Sequence, residues 1–136
     1  MGVHMDIQGV DVAALRGDAK GLALFFMRAG NCAICLRHVR ALAGLDLPGR
    51  GVAVAVVVPG GPAEAERVRR VAGALPVVSS AGAAAHRSAG LDRTLLVQHS
   101  GTVLIDAQGE ERYRLAATLP TGSFDAAALT AAADRL

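Results

Sequence analysis

LALFFMRAGNCAICLRHVRALAGL, residues 22–45, changes its period halfway along. Leu22 to Met27 is a continuous apolar run of strand length, and it stops at Arg28-Ala29-Gly30-Asn31, where Gly and Asn supply turn chemistry. From Cys32 onward the apolar residues recur at helical spacing. Cys35, Val39, Leu42 and Leu45 form one stripe, Arg37, His38 and Arg40 lie largely off it, and Gly44 with Pro48-Gly49 closes the segment. A buried strand that feeds a helix through a short turn opens a βαβ unit.

The next segments continue that order. Val52 to Val58 (VAVAVVV) is β-branched and nearly continuous, as expected of a strand covered on both faces of a parallel sheet, and Pro59-Gly60-Gly61 ends it. Pro62 then takes a first-helical position, Glu64 and Glu66 enrich the first turn, and Val68, Val71 and Leu75 form the predicted buried stripe. After Pro76 the pattern gives a short strand at Val77 and Val78, an Ala-rich helix from Ser80 to Ser88, and a stop at Gly90. Thr102 to Asp106, the turn Ala107-Gln108-Gly109-Glu110 and the strand Glu111 to Leu115 predict a β-hairpin, followed by a helix from Ser123 to the end. The expected architecture is α/β: a central mixed sheet flanked by helices, with a C-terminal β-hairpin plus helix, the layout of a thioredoxin-like fold.

Composition agrees. A chain of 136 residues with 52% hydrophobic residues is long enough for one domain, here 1–136, with a sizeable core. Aromatics are only 3%, so that core must be built from Ala, Val and Leu. The net charge is +2, and the densest basic run, Arg67, Arg69 and Arg70, lies beside Glu64 and Glu66 as the solvated face of a helix. With no basic stripe and few aromatics, nucleic-acid binding is discarded. No apolar stretch approaches the ~20 residues needed to cross a bilayer, so no membrane partner is expected. Met1 to Met5 (MGVHM) has no apolar targeting core and is set aside as an appended remnant or disordered end. The expected location is cytoplasmic.

Two cysteines three apart are poor candidates for a structural staple in a reducing compartment and better ones for redox chemistry. At the strand-to-helix junction, Cys32 meets the free N–H groups and the positive end of the helix dipole, which favour thiolate over thiol and predict a pKa below ~8.5. The sequence puts Cys32 at the first exposed position and Cys35 one turn further in, where it can attack a mixed disulfide formed by Cys32. Arg28, Arg37 and His38 are close enough along the chain to add positive potential. A zinc site from Cys32, Cys35 and His38 with His86 or His99 is the metal alternative, but no second CxxC or paired-His spacing supports it. Two inert core cysteines are the other alternative. His4 and His86 read as surface or core residues.

The quoted stretch resembles the strand, Arg, CxxC and helix pattern of the AhpC/TSA-related, peroxiredoxin-like 2 proteins. Leu75-Pro76-Val77-Val78-Ser79, His86 to Leu91, and Ser100 to Asp106 with Gly109 and Tyr113 continue the likeness, which runs from about Leu15 to the last helix. The resemblance implies a thioredoxin fold and an antioxidant or thiol-reducing activity carried by Cys32 and Cys35. The same fold would turn Ser100-Gly101-Thr102 toward the motif, which brings His99 and Thr102 in as supporting candidates beside Arg28 and Asn31. True peroxiredoxins have a Pro and a Thr where this chain has Phe25 and Ala29, and an Arg where it has Ser100. Efficient peroxidase chemistry is therefore not expected. Thioredoxins proper have Gly-Pro inside the motif and a Pro facing it. Here the inner pair is Ala33-Ile34 and the facing turn has no Pro.

The sequence thus predicts a thiol-disulfide oxidoreductase with Cys32 as nucleophile and Cys35 as resolving thiol, the turn around Thr102 forming a wall of the substrate site. No metal and no cofactor are expected. Its partners would be a thiol or disulfide substrate and a thiol electron donor, in an oligomeric state the sequence does not fix. A weak or atypical thiol peroxidase and a redox-inactive interaction domain of the same fold are the alternatives.

Overall fold

The computed structural model describes residue 7 and residues 9–136 except 81, 92, 95 and 96. The remnant read at residues 1–5 lies outside them. In chain order the elements are α1 (Val12–Arg16), β1 (Gly21–Phe26), α2 (Ala33–Gly44), β2 (Val52–Val58), α3 (Pro62–Ala72), β3 (Val77–Ser79), α4 (Ala84–Ser88), β4 (Arg93–Thr94), β5 (Val97–Gln98), β6 (Ser100–Asp106), β7 (Glu111–Ala117) and α5 (Ala126–Asp134). Five strands form one mixed sheet in the order β3-β2-β1-β6-β7. β1, β2 and β3 run parallel, β6 pairs antiparallel with β1, and β7 closes the expected hairpin on β6. β4 and β5 form a separate two-stranded ribbon.

Alternation along β1 divides the core into two layers. Ala23 and Phe25 join Val54, Val56, Val58 and Leu104 beneath α2, α3 and α5, whereas Leu22, Leu24 and Phe26 join Ala55, Val57, Val103 and Ile105 on the face covered by Ile7, Val10, Ala85, Ala89 and Leu91. Both faces of β1 are therefore dry, which explains an apolar run without polar alternation. The register sets the site: Phe26, the last residue of β1, lies opposite Val57 of β2 and Gly101 of β6. The loop after β1 emerges where the parallel strands end, the end of an open α/β sheet at which ligands commonly bind.

Several boundaries differ from the sequence expectation. The buried stripe of α3 is Ala65, Val68 and Ala72, with Val71 and Leu75 only half-buried, because the helix ends at Ala72 and the chain turns at Gly73 with φ +62°. The Ala-rich helix shrinks to α4, Ala84–Ser88. The last helix begins at Ala126, not Ser123. Asp125 supplies its cap by accepting from the Ala128 N–H at 3.0 Å, a contact worth about 1 kcal/mol. Ser123 is buried and its hydroxyl donates to the Pro120 carbonyl at 2.7 Å. α1, capped by Asp11, and the β4–β5 ribbon were not expected, being too short to show a period.

Candidate thiol site

Cys32 is the N-cap of α2, in extended conformation, and its sulfur accepts from the Cys35 N–H at 3.3 Å. A cysteine sulfur thus takes the place of the Ser or Asp oxygen that usually caps a helix, accepting from the same orphan donors, which favour its ionised form. The sulfur of Cys35 accepts from the Arg28 N–H at 3.4 Å, so the chain before α2 folds back over its first turn. Both cysteines are free thiols. Cys32 is buried to 5% exposure, a departure from the open position that the sequence suggested, although its neighbours Asn31 and Ala33 are exposed.

The two thiols have opposite electrostatics. Burial pushes the Cys32 thiol up, but hydrogen bonds from the Cys35 side chain and backbone, together with the side chain and charge of Arg28, outweigh it and hold Cys32 below the ordinary thiol value. Burial pushes Cys35 up to about 12, reinforced by the hydrogen bond to Cys32 and the negative charge there, against backbone N–H groups at Arg28 and Ala29. One thiol is set to ionise while the other holds its proton and donates it. If Cys32 were bonded to another sulfur, its charge and its acceptor role would vanish, leaving burial opposed by the two N–H groups.

The backbone under this loop is held by a histidine. His86 is fully buried, its Nε2 lying 2.7 Å from the Met27 carbonyl and its Nδ1 3.0 Å from the Ser80 hydroxyl. The carbonyl can only accept, so Nε2 carries the proton and Nδ1 accepts from Ser80. The Ser80 oxygen accepts in turn from the Ala85 and His86 N–H groups at 3.0 and 3.3 Å. Burial lowers the His86 pKa to about 4, against the Met27 hydrogen bond, so the ring is neutral. α4 is thereby tied to the last residue before Arg28. The sequence left His86 as an unremarkable residue, since nothing local to it reveals a partner 59 positions away.

The remaining candidates divide between the site and the fold. Arg28 stands beside Cys32 as described, and Asn31 is exposed next to it. His99 is half-buried between β5 and β6, with its carbonyl accepting from the Gln98 side chain at 3.2 Å. Thr102 is not in a turn that walls the site. It lies inside β6 at 1% exposure opposite Phe25, and its hydroxyl donates to the Ser123 carbonyl at 2.8 Å, anchoring the approach to α5. Ser100 is buried, with a hydroxyl that has no hydrogen-bond partner among the described residues. His38, expected off the buried stripe, packs edge-on to Phe25 at 5.9 Å and meets the Pro120 carbonyl at 3.0 Å. The zinc set of cysteines and histidines does not assemble: His38 and His86 are turned to carbonyls, and no group of three possible metal ligands forms among the described residues. No helix among those residues is long and apolar enough to cross a membrane.

Beside the cysteines lies a groove of about 490 Å³ that sequence reasoning missed. It opens at Arg28, Ala29, Gly30 and Asn31 and runs past Pro59 and Gly60 to Arg67, Arg87, Arg93 and Gln98. Gly60 and Gly82, both lining it, are joined by a backbone bridge in which they exchange N–H···O bonds of 2.8 and 3.0 Å. Gly30 lies where α3 closes against the loop: a Cβ there would stand 3.0 Å from that of Glu64, so the helix would have to give by a few tenths of an ångström. Its arginines come from a loop, α3, α4 and β4, a spacing that carries no sequence signature.

No family model and no curated protein matches the sequence. Solved structures do match. The bacterioferritin comigratory protein of Xanthomonas campestris, described for alkyl peroxide reduction, superposes with a TM-score of 0.74 at 17% identity, covering 89% of this chain and 83% of that one. Peroxidoxin BcpB of Mycobacterium tuberculosis gives 0.70 at 21% identity over 90% and 82%. A secreted disulfide oxidoreductase of the same organism gives 0.65 at 15% identity over 93% and 88%. The mixed five-stranded sheet with its flanking helices is thus the thioredoxin-like fold.

Proposed function

We propose that the chain is a thiol-disulfide oxidoreductase, a single domain in which Cys32 attacks and Cys35 resolves. The observation that carries this reading is the asymmetry of the two sulfurs: Cys32 caps α2 beside Arg28 with a lowered pKa, and Cys35 is held as its protonated hydrogen-bond donor. The Cys32 thiolate attacks one sulfur of a disulfide, forming a mixed disulfide and releasing a thiolate. Loss of the charge on Cys32 removes two of the causes that keep Cys35 protonated. Cys35 then gives up its proton and attacks the Cys32 sulfur, releasing the second thiol and leaving a Cys32–Cys35 disulfide. An external dithiol returns the pair to the reduced state. A reducing, cytoplasmic location suits this cycle.

The peroxidase described for the Xanthomonas relative is the second reading, and Arg28 beside Cys32 is the observation in its favour. Phe25 and Ala29 stand against it, having no side-chain donor, and Ser100 places a neutral hydroxyl where a guanidinium would polarise a peroxide bond.

Trapping tests the proposal. Reduced Cys35→Ser protein mixed with an aromatic disulfide should accumulate a stable mixed disulfide on Cys32, the unmodified chain should release both thiols, and Cys32→Ser should release none. Thiol release from Cys32→Ser equal to that of the unmodified chain would overturn it. Rapid, Cys32-dependent peroxide consumption under excess dithiol would transfer the reading to a peroxidase.

A further inference from the structure

The groove beside Cys32 is charged in a way that the thiol chemistry does not need. Arg28, Arg67, Arg87 and Arg93 line it, and among the described residues lining it the one carboxylate is Glu64. That carboxylate is engaged already, accepting from the Gly61 N–H at 2.8 Å as the cap of α3. Arg67 and Arg87 are exposed, and neither is within ion-pair distance of a carboxylate among the described residues. Elsewhere Arg50, Arg69, Arg112 and Arg114 each have an acidic partner at 3.1 Å or less, and other arginines such as Arg37, Arg40 and Arg70 have none among the described residues, so what marks Arg67 and Arg87 is their convergence on one groove. Two guanidinium groups, neither within ion-pair distance of a carboxylate among the described residues, are brought from α3 and α4 to one concavity, where the Arg67 charge also acts on Glu64 from a longer distance. Bidentate donors arranged in this way suit an anionic ligand.

Resting on the thiol reading above, we propose that this groove seats a low-molecular-weight disulfide carrying carboxylates, with its sulfur bridge delivered to Cys32. The volume, about 490 Å³, suits a small ligand and not a folded partner. Arg28 joins the two parts of the site: it lines the groove and its side chain reaches the Cys32 sulfur. The arginines raise the local concentration of an anion and hold it while the bond exchanges. The chemistry balances as the protein dithiol plus RSSR giving the protein disulfide plus two RSH, the two thiol protons passing to the two leaving thiolates.

Single-turnover oxidation of the reduced chain by three disulfides tests this: oxidised glutathione (anionic), bis(2-hydroxyethyl) disulfide (neutral) and cystamine (cationic), each rate divided by that for free dithiothreitol. The unmodified chain should favour the anionic over the neutral disulfide by about tenfold beyond the dithiothreitol reference. The double variant Arg67→Ala/Arg87→Ala should lose that preference, Arg67→Glu/Arg87→Glu should transfer it to cystamine, and Arg70→Ala, on α3 but outside the groove, should keep it. A normalised ratio equal to the reference, or a preference that survives the double charge reversal, would overturn the groove assignment while leaving the thiol reading intact. If no disulfide of the three oxidises Cys32, the thiol reading itself fails.

Discussion

Two grooves of nearly equal size, about 490 and 510 Å³, lie at opposite ends of the sheet. The one where the parallel strands end carries Arg28, Arg67, Arg87 and Arg93 beside the thiols. The other, at the start of β1, carries Lys20, Asp106, Arg112 and Arg135. Both are rich in arginine, so composition does not separate them. Pairing does. Asp106 is buried, accepts from the Gln108 and Glu110 N–H groups at 2.9 Å each, and meets Arg112 at 2.6 Å, an arrangement that closes the β6–β7 turn. The Asp106–Arg112 pair at that end serves the fold, whereas Arg67 and Arg87 at the thiol end have no carboxylate within ion-pair distance among the described residues and flank the cysteine loop.

Acid should separate the two ends most, because each depends on a group that titrates in a different range. His86 is neutral in the folded chain with a pKa of about 4, against ~6.5 when unfolded, so the unfolded state takes up the proton first. Stability should fall by about 3 kcal/mol as pH drops from 6.5 to 4, measured by denaturant unfolding at a series of pH values. His86→Phe should flatten that window, and an unchanged pH profile would remove His86 as the support of the thiol loop. The Asp106 carboxyl resists burial with hydrogen bonds from Glu110, Arg112 and Gln108 that hold it below the usual carboxylate range. Its contribution is complete above its unfolded pKa of ~3.9 and is lost as pH falls through the lower folded value.

Substitutions should follow the same order. Asp106→Asn, which leaves a buried turn with fewer acceptors, should cost about 1–3 kcal/mol in chemical unfolding without altering disulfide exchange at the thiols. Arg112→Ala should cost less than Asp106→Asn, since its guanidinium is half exposed and the two backbone donors to Asp106 remain. Arg67→Ala and Arg87→Ala should leave unfolding stability within about 0.5 kcal/mol of the unmodified chain. A larger loss from either would show that these arginines serve the fold as Arg112 does.

The sheet was legible in the sequence because β1 and β2 are unbroken apolar runs of strand length that end at turn residues, and the β6–β7 hairpin brackets the turn Ala107-Gln108-Gly109-Glu110. The CxxC junction was legible for the same reason: the change from strand to helix falls at Cys32. What escaped depends on contacts across the chain. His38 looks like part of a polar face until Phe124 and Pro120, more than 80 residues on, cover it. Thr102 looks like a turn residue near the thiols until its hydroxyl is seen anchoring Ser123 inside β6. Arg67 read as one member of a solvated cluster. Of the three arginines in that run, Arg69 pairs with Glu66 and reaches the Val77 carbonyl, while Arg67 turns into the groove.

In the proposed site Cys32 and Cys35, one turn apart, act as a thiolate and its proton donor. Brief alkylation of the reduced chain across pH, with each cysteine followed separately by peptide mass spectrometry, reads that difference directly. Cys32 should label with a midpoint below ~8.5, Cys35 should stay unlabelled until strongly alkaline pH, and Cys35→Ala should move the Cys32 midpoint upward. Equal labelling of the two thiols, or a Cys32 midpoint at or above the ordinary thiol value, would contradict the account.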